Sequence, residues 1–224
     1  MKIRLRFEKT GDMKYIGHLD LMRYFQKVMR RASVPIRYSQ GFSPHQLMSF
    51  AAPLGVGLES VAEYLDFESE EIGDPNEVLL HMNQVQTEGI RINGITVLPE
   101  TAKNAMSLVA AADYEVTAEN AELPAEDLCA AFRAADTFFV EKKTKKSVTM
   151  LDMKELVYEF SGISNGYFLR LATGSEKNVK PELFLSALFE RNGGSFDPSE
   201  WRILRTEIYA GSRENGFLPL LEKH

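Results

Sequence analysis

Cysteine is nearly absent from this chain: Cys129 stands alone among 224 residues. A lone thiol cannot close an internal disulfide, which points to a reducing, cytoplasmic setting. It also excludes an iron–sulfur cluster held by this chain alone, since such clusters take several thiolates. A structural zinc site takes four Cys/His ligands, and the histidines are only four and scattered: His18, His45, His81 and His224. No metal or other cofactor is therefore expected. Long apolar runs are missing too. Nothing approaches the ~20 residues of a membrane span, and the opening MKIRLRFEKTG has no apolar signal-peptide core. No membrane partner is expected.

What is present is unevenly charged. Residues 1–60 carry 10 Lys/Arg against 4 Asp/Glu, residues 61–136 carry 3 against 16, and residues 137–224 carry 13 against 12. A basic N-terminal section suits an anionic partner. Mutual neutralisation of the basic and acidic sections within the fold explains the same pattern.

Hydrophobic periodicity organises the chain as α+β. Ile3, Leu5 and Phe7 alternate with Lys2, Arg4, Arg6 and Glu8, the signature of a half-buried strand. Over His18–Ala32, residues Leu21, Met22, Phe25, Val28, Met29 and Ala32 recur at helical spacing, and Pro35 lies just beyond the end. Extended pieces follow at Ile36–Ser39, Leu47–Ala52 and Ala62–Glu68. A helix over Glu77–Val85 is preceded by Asp74-Pro75, and Ile90–Leu98 is a strand. Strand, helix, strand, strand, helix, strand is the split βαβ pattern of a ferredoxin-like fold.

A second round follows a connector at 99–112. Strands are expected at Tyr114–Ala118, Phe138–Lys142, Tyr167–Ala172 and Arg202–Tyr209, and helices at Pro124–Ala135 and Pro181–Arg191. Met150–Phe160 suits either state. The expected architecture is two ferredoxin-like (βαββαβ) halves in tandem, over 1–100 and 112–212, with a tail at 213–224. The run Lys142, Lys143, Lys145 and Lys146 reads as a hairpin tip, and Trp201 with Ile203, Leu204 and Ile208 as core anchors.

The densest polar stretch is Lys14–Gly57. Arg23, Lys27, Arg30 and Arg31 fall at i, i+4, i+7 and i+8, one cationic stripe along a helix. Arginine forks suit phosphate; a solvated helix face accounts for the same residues. His18 opens that helix, where free backbone N–H groups disfavour a charged imidazole. It reads either as a general base or substrate contact, or, with Asp20, as a cap. In the loop Ser39–His45, Gly41 permits tight backbone geometry. Gln40, Ser43 and His45 offer polar groups, and Phe42 offers a stacking face. Gly55-Val56-Gly57 reads as a tight turn, not a dinucleotide fingerprint. On the first strand Lys2, Arg4 and Arg6 would suit RNA on an open sheet, but Asp66 and Glu68 point the same way from the neighbouring strand, so cross-strand pairing should consume that charge.

The residues YIGHLDLMRYFQKVMRRASVPIRYSQGFSPHQLMSFAAPLGVGLESVAEYLD resemble the signature of the radical-SAM-associated domain of unknown function. The similarity is strongest over residues 14–66. It implies a partnership with a radical SAM enzyme in trans and an RNA-related setting. It carries over no catalytic residue, because no activity is established for that family. His18, Asp20, Arg23, Arg30, Arg31, Gln40, Gly41, Phe42, Pro44, Gly55 and Gly57 occupy the motif positions.

Three functions stand open at this point. The chain is a non-catalytic, RNA-related binding module whose contacts are Arg23, Lys27, Arg30, Arg31, Gln40, Gly41, Phe42, Ser43 and His45. Or it is a metal-independent RNA-processing endonuclease with His18 as general base. Or it is an adaptor docking a basic protein through residues 61–136.

Overall fold

The computed structural model describes residues 1–118, 125–143, 148–175 and 177–222. In its first half β1 (Lys2–Lys9), α1 (His18–Arg31), β2 (Met48–Phe50), β3 (Glu59–Glu68), α2 (Pro75–Gln84) and β4 (Ile90–Leu98) follow in order. A connector with one helical turn, α3 (Ala105–Leu108), leads to β5 (Val109–Thr117). Then come α4 (Ala125–Ala134), the hairpin β6 (Phe139–Lys143) and β7 (Val148–Asp152), the short α5 (Met153–Leu156), β8 (Val157–Ile163), β9 (Gly166–Ala172), α6 (Pro181–Arg191), β10 (Arg202–Ser212) and β11 (Gly216–Pro219). The α+β class holds.

One sheet runs through both halves in the order β4-β1-β3-β10-β5-β9-β8. In the first half β4 lies beside β1, β1 beside β3, and the three-residue β2 pairs antiparallel with Leu65–Phe67 of β3. In the second, β10 lies beside β5, β5 beside β9, and β9 beside β8. The halves meet where β2 stops. There β10 runs parallel to the start of β3 over only Leu204–Arg205 against Glu59–Ser60.

Helices cover one face of this sheet. Leu21, Phe25, Val28 and Met29 of α1 bury against Ile3, Leu5, Phe7 and Leu65. Phe25 meets Phe7 edge-on at 4.7 Å, a geometry aromatic quadrupoles favour. In the second half Phe132, Phe138, Phe160 and Phe184 form an edge-to-face cluster over β9. The opposite face is not an open platform. Arg4 is completely buried, and its guanidinium donates to Asp66, to the Lys103 carbonyl and to the Leu220 carbonyl.

Three expectations need correcting, and one open reading is resolved. The strand at Phe138–Lys142 belongs to an inserted hairpin forming its own two-stranded sheet. The ambiguous Met150–Phe160 holds β7, α5 and β8 in succession. The connector ends at 108, because β5 begins at Val109. The tail at 213–224 contributes β11, which pairs with β10, and the buried Leu220. Pro124, Thr144, Lys145 and Lys146 lie outside the described residues. Among the described residues no helix is long and apolar enough to cross a membrane.

Helix ends follow local chemistry. Asp74 caps α2, its side chain accepting from Asn76 N at 2.9 Å. The end of α1 is closed by Val34 N donating to Met29 O, which forces Ser33 into the left-handed region at φ 53°. Ser33→Gly is therefore expected to stabilise the fold by ~0.5–1 kcal/mol. Gly166→Ala should do the reverse, because its Cβ would stand 2.0 Å from the Val116 carbonyl; a cost of ~1–3 kcal/mol is expected. Urea denaturation with unchanged m values checks both.

Candidate functional site

The cationic stripe of α1 faces solvent. Arg23, Lys27, Arg30 and Arg31 are all exposed. Arg23 pairs with Asp20 at 3.1 Å, whereas Lys27, Arg30 and Arg31 make no ion pair among the described residues. Two cations in the last turn also complement the helix dipole.

The loop Ser39–His45 is tied to this helix only through the following residue, Gln46. Ser39 N donates to the His45 carbonyl at 2.8 Å, and Ser39 Oγ meets His45 Nδ1 at 2.8 Å, so the loop is pinched at its base. Next to the pinch, the buried Gln46 amide donates to the Gln26 carbonyl on α1 and to the Tyr38 hydroxyl. Gly41 has φ 115°, a conformation other residues rarely adopt. Gln40, Gly41, Phe42, Ser43 and His45 are exposed, and the Phe42 ring is fully in solvent. An apolar ring held out in this way, beside a helix with free cations, can stack on a flat aromatic group.

His18 occupies the first position of α1 but caps nothing; Gly17 is the N-cap and Asp20 pairs with Arg23. The half-buried imidazole packs edge-on against Phe50 at 5.3 Å. Among the described residues no carboxylate or carbonyl hydrogen-bonds its ring.

The junction of the halves holds chemistry that the sequence analysis did not single out. Arg205 of β10 and Glu63 of β3 form an ion pair at 2.5 Å, with both side chains 3% exposed. Arg205 also donates to the Ala52 carbonyl. Burial opposes the Arg205 charge, but Glu63 and Tyr114 more than offset it, and the guanidinium stays above its ordinary pKa. Lys9, buried nearby with its ammonium on the Lys14 carbonyl, is lowered by desolvation despite Glu63. Glu59 accepts from Arg202 at 2.5 Å and from Gly11 N at 2.7 Å. Burial alone would raise that carboxyl, yet these bonds hold it below the usual range.

Above this seam opens a cleft of about 330 Å³. It is lined by Ala51–Val56 and Leu58, by parts of the β9–α6 connection and the start of α6, and by Met106, Tyr114 and Arg205. Gly57 N donates to the Lys14 carbonyl at 2.8 Å, fastening the 51–58 stretch to the segment that leads into α1. Gly55-Val56-Gly57 is a turn, with Gly57 at φ 91°. A second cleft of about 300 Å³ lies over β2 and the connector, next to Asp66. Neither cleft is lined by His18, the α1 cations or the Gln40–His45 loop. The sequence signal for the junction is a charge at a buried position of a strand, Arg205 two residues after the buried Ile203. Among the described residues no group of three His, Cys, Asp or Glu side chains is placed to hold a metal ion.

Residues 2–181 match the family described as "Uncharacterized protein conserved in bacteria (DUF2344)", and the chain belongs to that family. No curated protein matches the sequence. Among solved structures, a chain of the "Crystal Structure of a Cbf5-Nop10-Gar1 Complex" is similar at 8% identity and a TM-score of 0.47. That likeness covers 92% of this chain and 48% of the other, so the protein spans about half the length of that chain.

Two measurements probe the junction. Arg205→Met leaves Glu63 buried and unpaired and is expected to cost ~3–5 kcal/mol; adding Glu63→Gln should recover part of it. Urea unfolding of the single and double variants tests this. The depressed Glu59 carboxyl stabilises the fold above the pKa of its unfolded form, and that contribution fades as pH falls through the lower folded value. Between about pH 5 and pH 3 the wild type should lose more stability than Glu59→Gln.

Proposed function

We propose that this protein is a cytoplasmic accessory module that grips single-stranded RNA and presents it to a separate radical SAM enzyme. The observation that carries this reading is a contrast in how the cations are used. Arg4, Arg6, Arg170 and Arg205 on the sheet are each paired with a carboxylate. Lys27, Arg30 and Arg31 on α1 are exposed and without ion pairs among the described residues. Beside them the Gln40–His45 loop holds Phe42 in solvent. Free cations next to an exposed aromatic ring suit a strand with phosphates on one side and unstacked bases on the other. The radical SAM partner rests on the signature resemblance over residues 14–66. The adaptor reading gains less, because Glu63, Asp66, Glu68 and Asp113 of the acidic section are engaged by arginines of this chain.

Fluorescence anisotropy with a labelled mixed-sequence RNA of about 15 nucleotides, within the range of single-strand sites, tests the proposal. Binding should weaken steeply with salt. Arg30→Ala/Arg31→Ala should flatten the log–log salt slope by about 1.4, at ~0.7 per lost single-strand phosphate contact. Phe42→Ala should cost ~1–3 kcal/mol with the slope unchanged. Absent or salt-independent RNA binding overturns the reading.

A further inference from the structure

We infer that the cleft at the seam between the halves binds a small organic phosphate with an aliphatic body, the body in the cleft and the phosphate on Lys142, Lys177 and Lys180. This site is separate from the RNA surface proposed above: it uses no residue of α1 or of the Gln40–His45 loop.

The cavity comes first. About 330 Å³ lies at the low end of small-molecule sites. Its lining comes from both halves: the segment between β2 and β3, the β9–α6 connection and β10, with Met106 of the connector among them.

The accessible side chains set the body of the ligand. Pro53, Val56 and Met106 are exposed, and Leu54 and Leu58 are half-buried. All five are apolar and none is aromatic. The aromatic residue of the lining, Tyr114, is only 4% exposed. A flat heterocycle therefore finds no open ring to stack on, whereas an aliphatic chain gains simply by leaving water.

Charge sets the head group. Arg205 is neutralised by Glu63, and the acidic residue of the lining, Glu182, keeps its Oε2 buried. Lys180, by contrast, lines the cleft and is exposed, as is Lys177 shortly before it. Neither makes an ion pair among the described residues. Lys142 joins them from the inserted hairpin, its ammonium donating to the carbonyl of the lining residue Asn178 at 2.9 Å. That bond uses one of three ammonium donors. Three lysines thus gather along one connection, next to an apolar cavity. A phosphate has the charge and the oxygens to be shared among them.

Occupancy also has a structural consequence. The halves are paired through only Leu204–Arg205 and Glu59–Ser60, and a ligand touching both sides adds contacts across that junction. Bound ligand should therefore stabilise the chain by mass action.

The test uses the full chain with 13C-methyl methionine, the Met106 signal being assigned through Met106→Leu. Butyl, hexyl and octyl phosphate are titrated as monomers, beside octanol, octyltrimethylammonium and inorganic phosphate. The alkyl phosphates should shift the Met106 methyl saturably, with affinity rising up to about fourfold per added methylene. The midpoint of thermal unfolding should rise with them. Octyl phosphate should bind about three- to tenfold more tightly than octanol, because ion pairs with exposed lysines are individually weak. Lys177→Gln/Lys180→Gln should bring it close to octanol while the other methionine signals keep their positions, which shows the variant folded. Val56→Asp should weaken octyl phosphate, and Arg30→Ala/Arg31→Ala should leave its binding unchanged. No Met106 shift, an affinity indifferent to chain length, octyltrimethylammonium bound as tightly as octyl phosphate, or a phosphate preference that survives the lysine variant overturns the site. An equal shift from inorganic phosphate alone reduces the cleft to a simple anion patch and overturns it too.

Discussion

The structure depends on one buried ion pair, Glu63 with Arg205. Backbone pairing between the halves extends over two residues of β3 and two of β10, too little to fix their register. Charge does the rest. On the helix side of the seam Arg205 is held by Glu63 and the Ala52 carbonyl. On the other side Glu207 of β10 accepts from Tyr64 at 2.6 Å and from Arg6 at 3.2 Å. Such pairs contribute little net stability once desolvation is counted, but a wrong register would leave several charges buried and alone. The halves are thus aligned by the penalty for misalignment. The cleft, built from both sides of the seam, inherits its shape from that alignment.

The same kind of pairing absorbs part of the uneven charge along the chain. Glu63, Asp66 and Asp113 of the acidic middle section are buried in pairs with arginines on β10, β1 and β9, while Glu70, Glu71, Asp74, Glu77 and others of that section stay exposed. On α1 only the apolar face is needed by the core, and Lys27, Arg30 and Arg31 stay exposed and without ion pairs among the described residues. A local excess survives where geometry denies it a partner.

Much of this was legible from the residues. The alternation of β1, the apolar spacing of α1 and the Asp74-Pro75 start of α2 each encode structure within a few neighbours, and each appears close to where expected. Cross-strand pairing of Arg4 with Asp66 was legible as well, since it needs only the strand order. The inserted hairpin was not, because Phe139–Lys143 alternates like any strand and nothing local says which sheet it joins. β11 is four residues long and owes its existence to the free edge of β10. Arg205 and Glu63 lie 142 residues apart, so their meeting is a property of the closed sheet. The cleft could not be read from sequence for the same reason: its walls come from segments more than a hundred residues apart.

The Arg4 contacts bear on how the chain is made. Arg4 and Asp66 can meet once β3 has emerged, but the Leu220 carbonyl to which the guanidinium also donates lies 216 residues beyond Arg4. At ~5–20 residues per second of synthesis, roughly ten to thirty seconds separate the appearance of Asp66 from that of Leu220. During that interval the first half has its own core, while the Leu220 carbonyl on the far side of its sheet is still to come. That face of the sheet can close only after the second half has been synthesised, so the order of synthesis is also an order of folding.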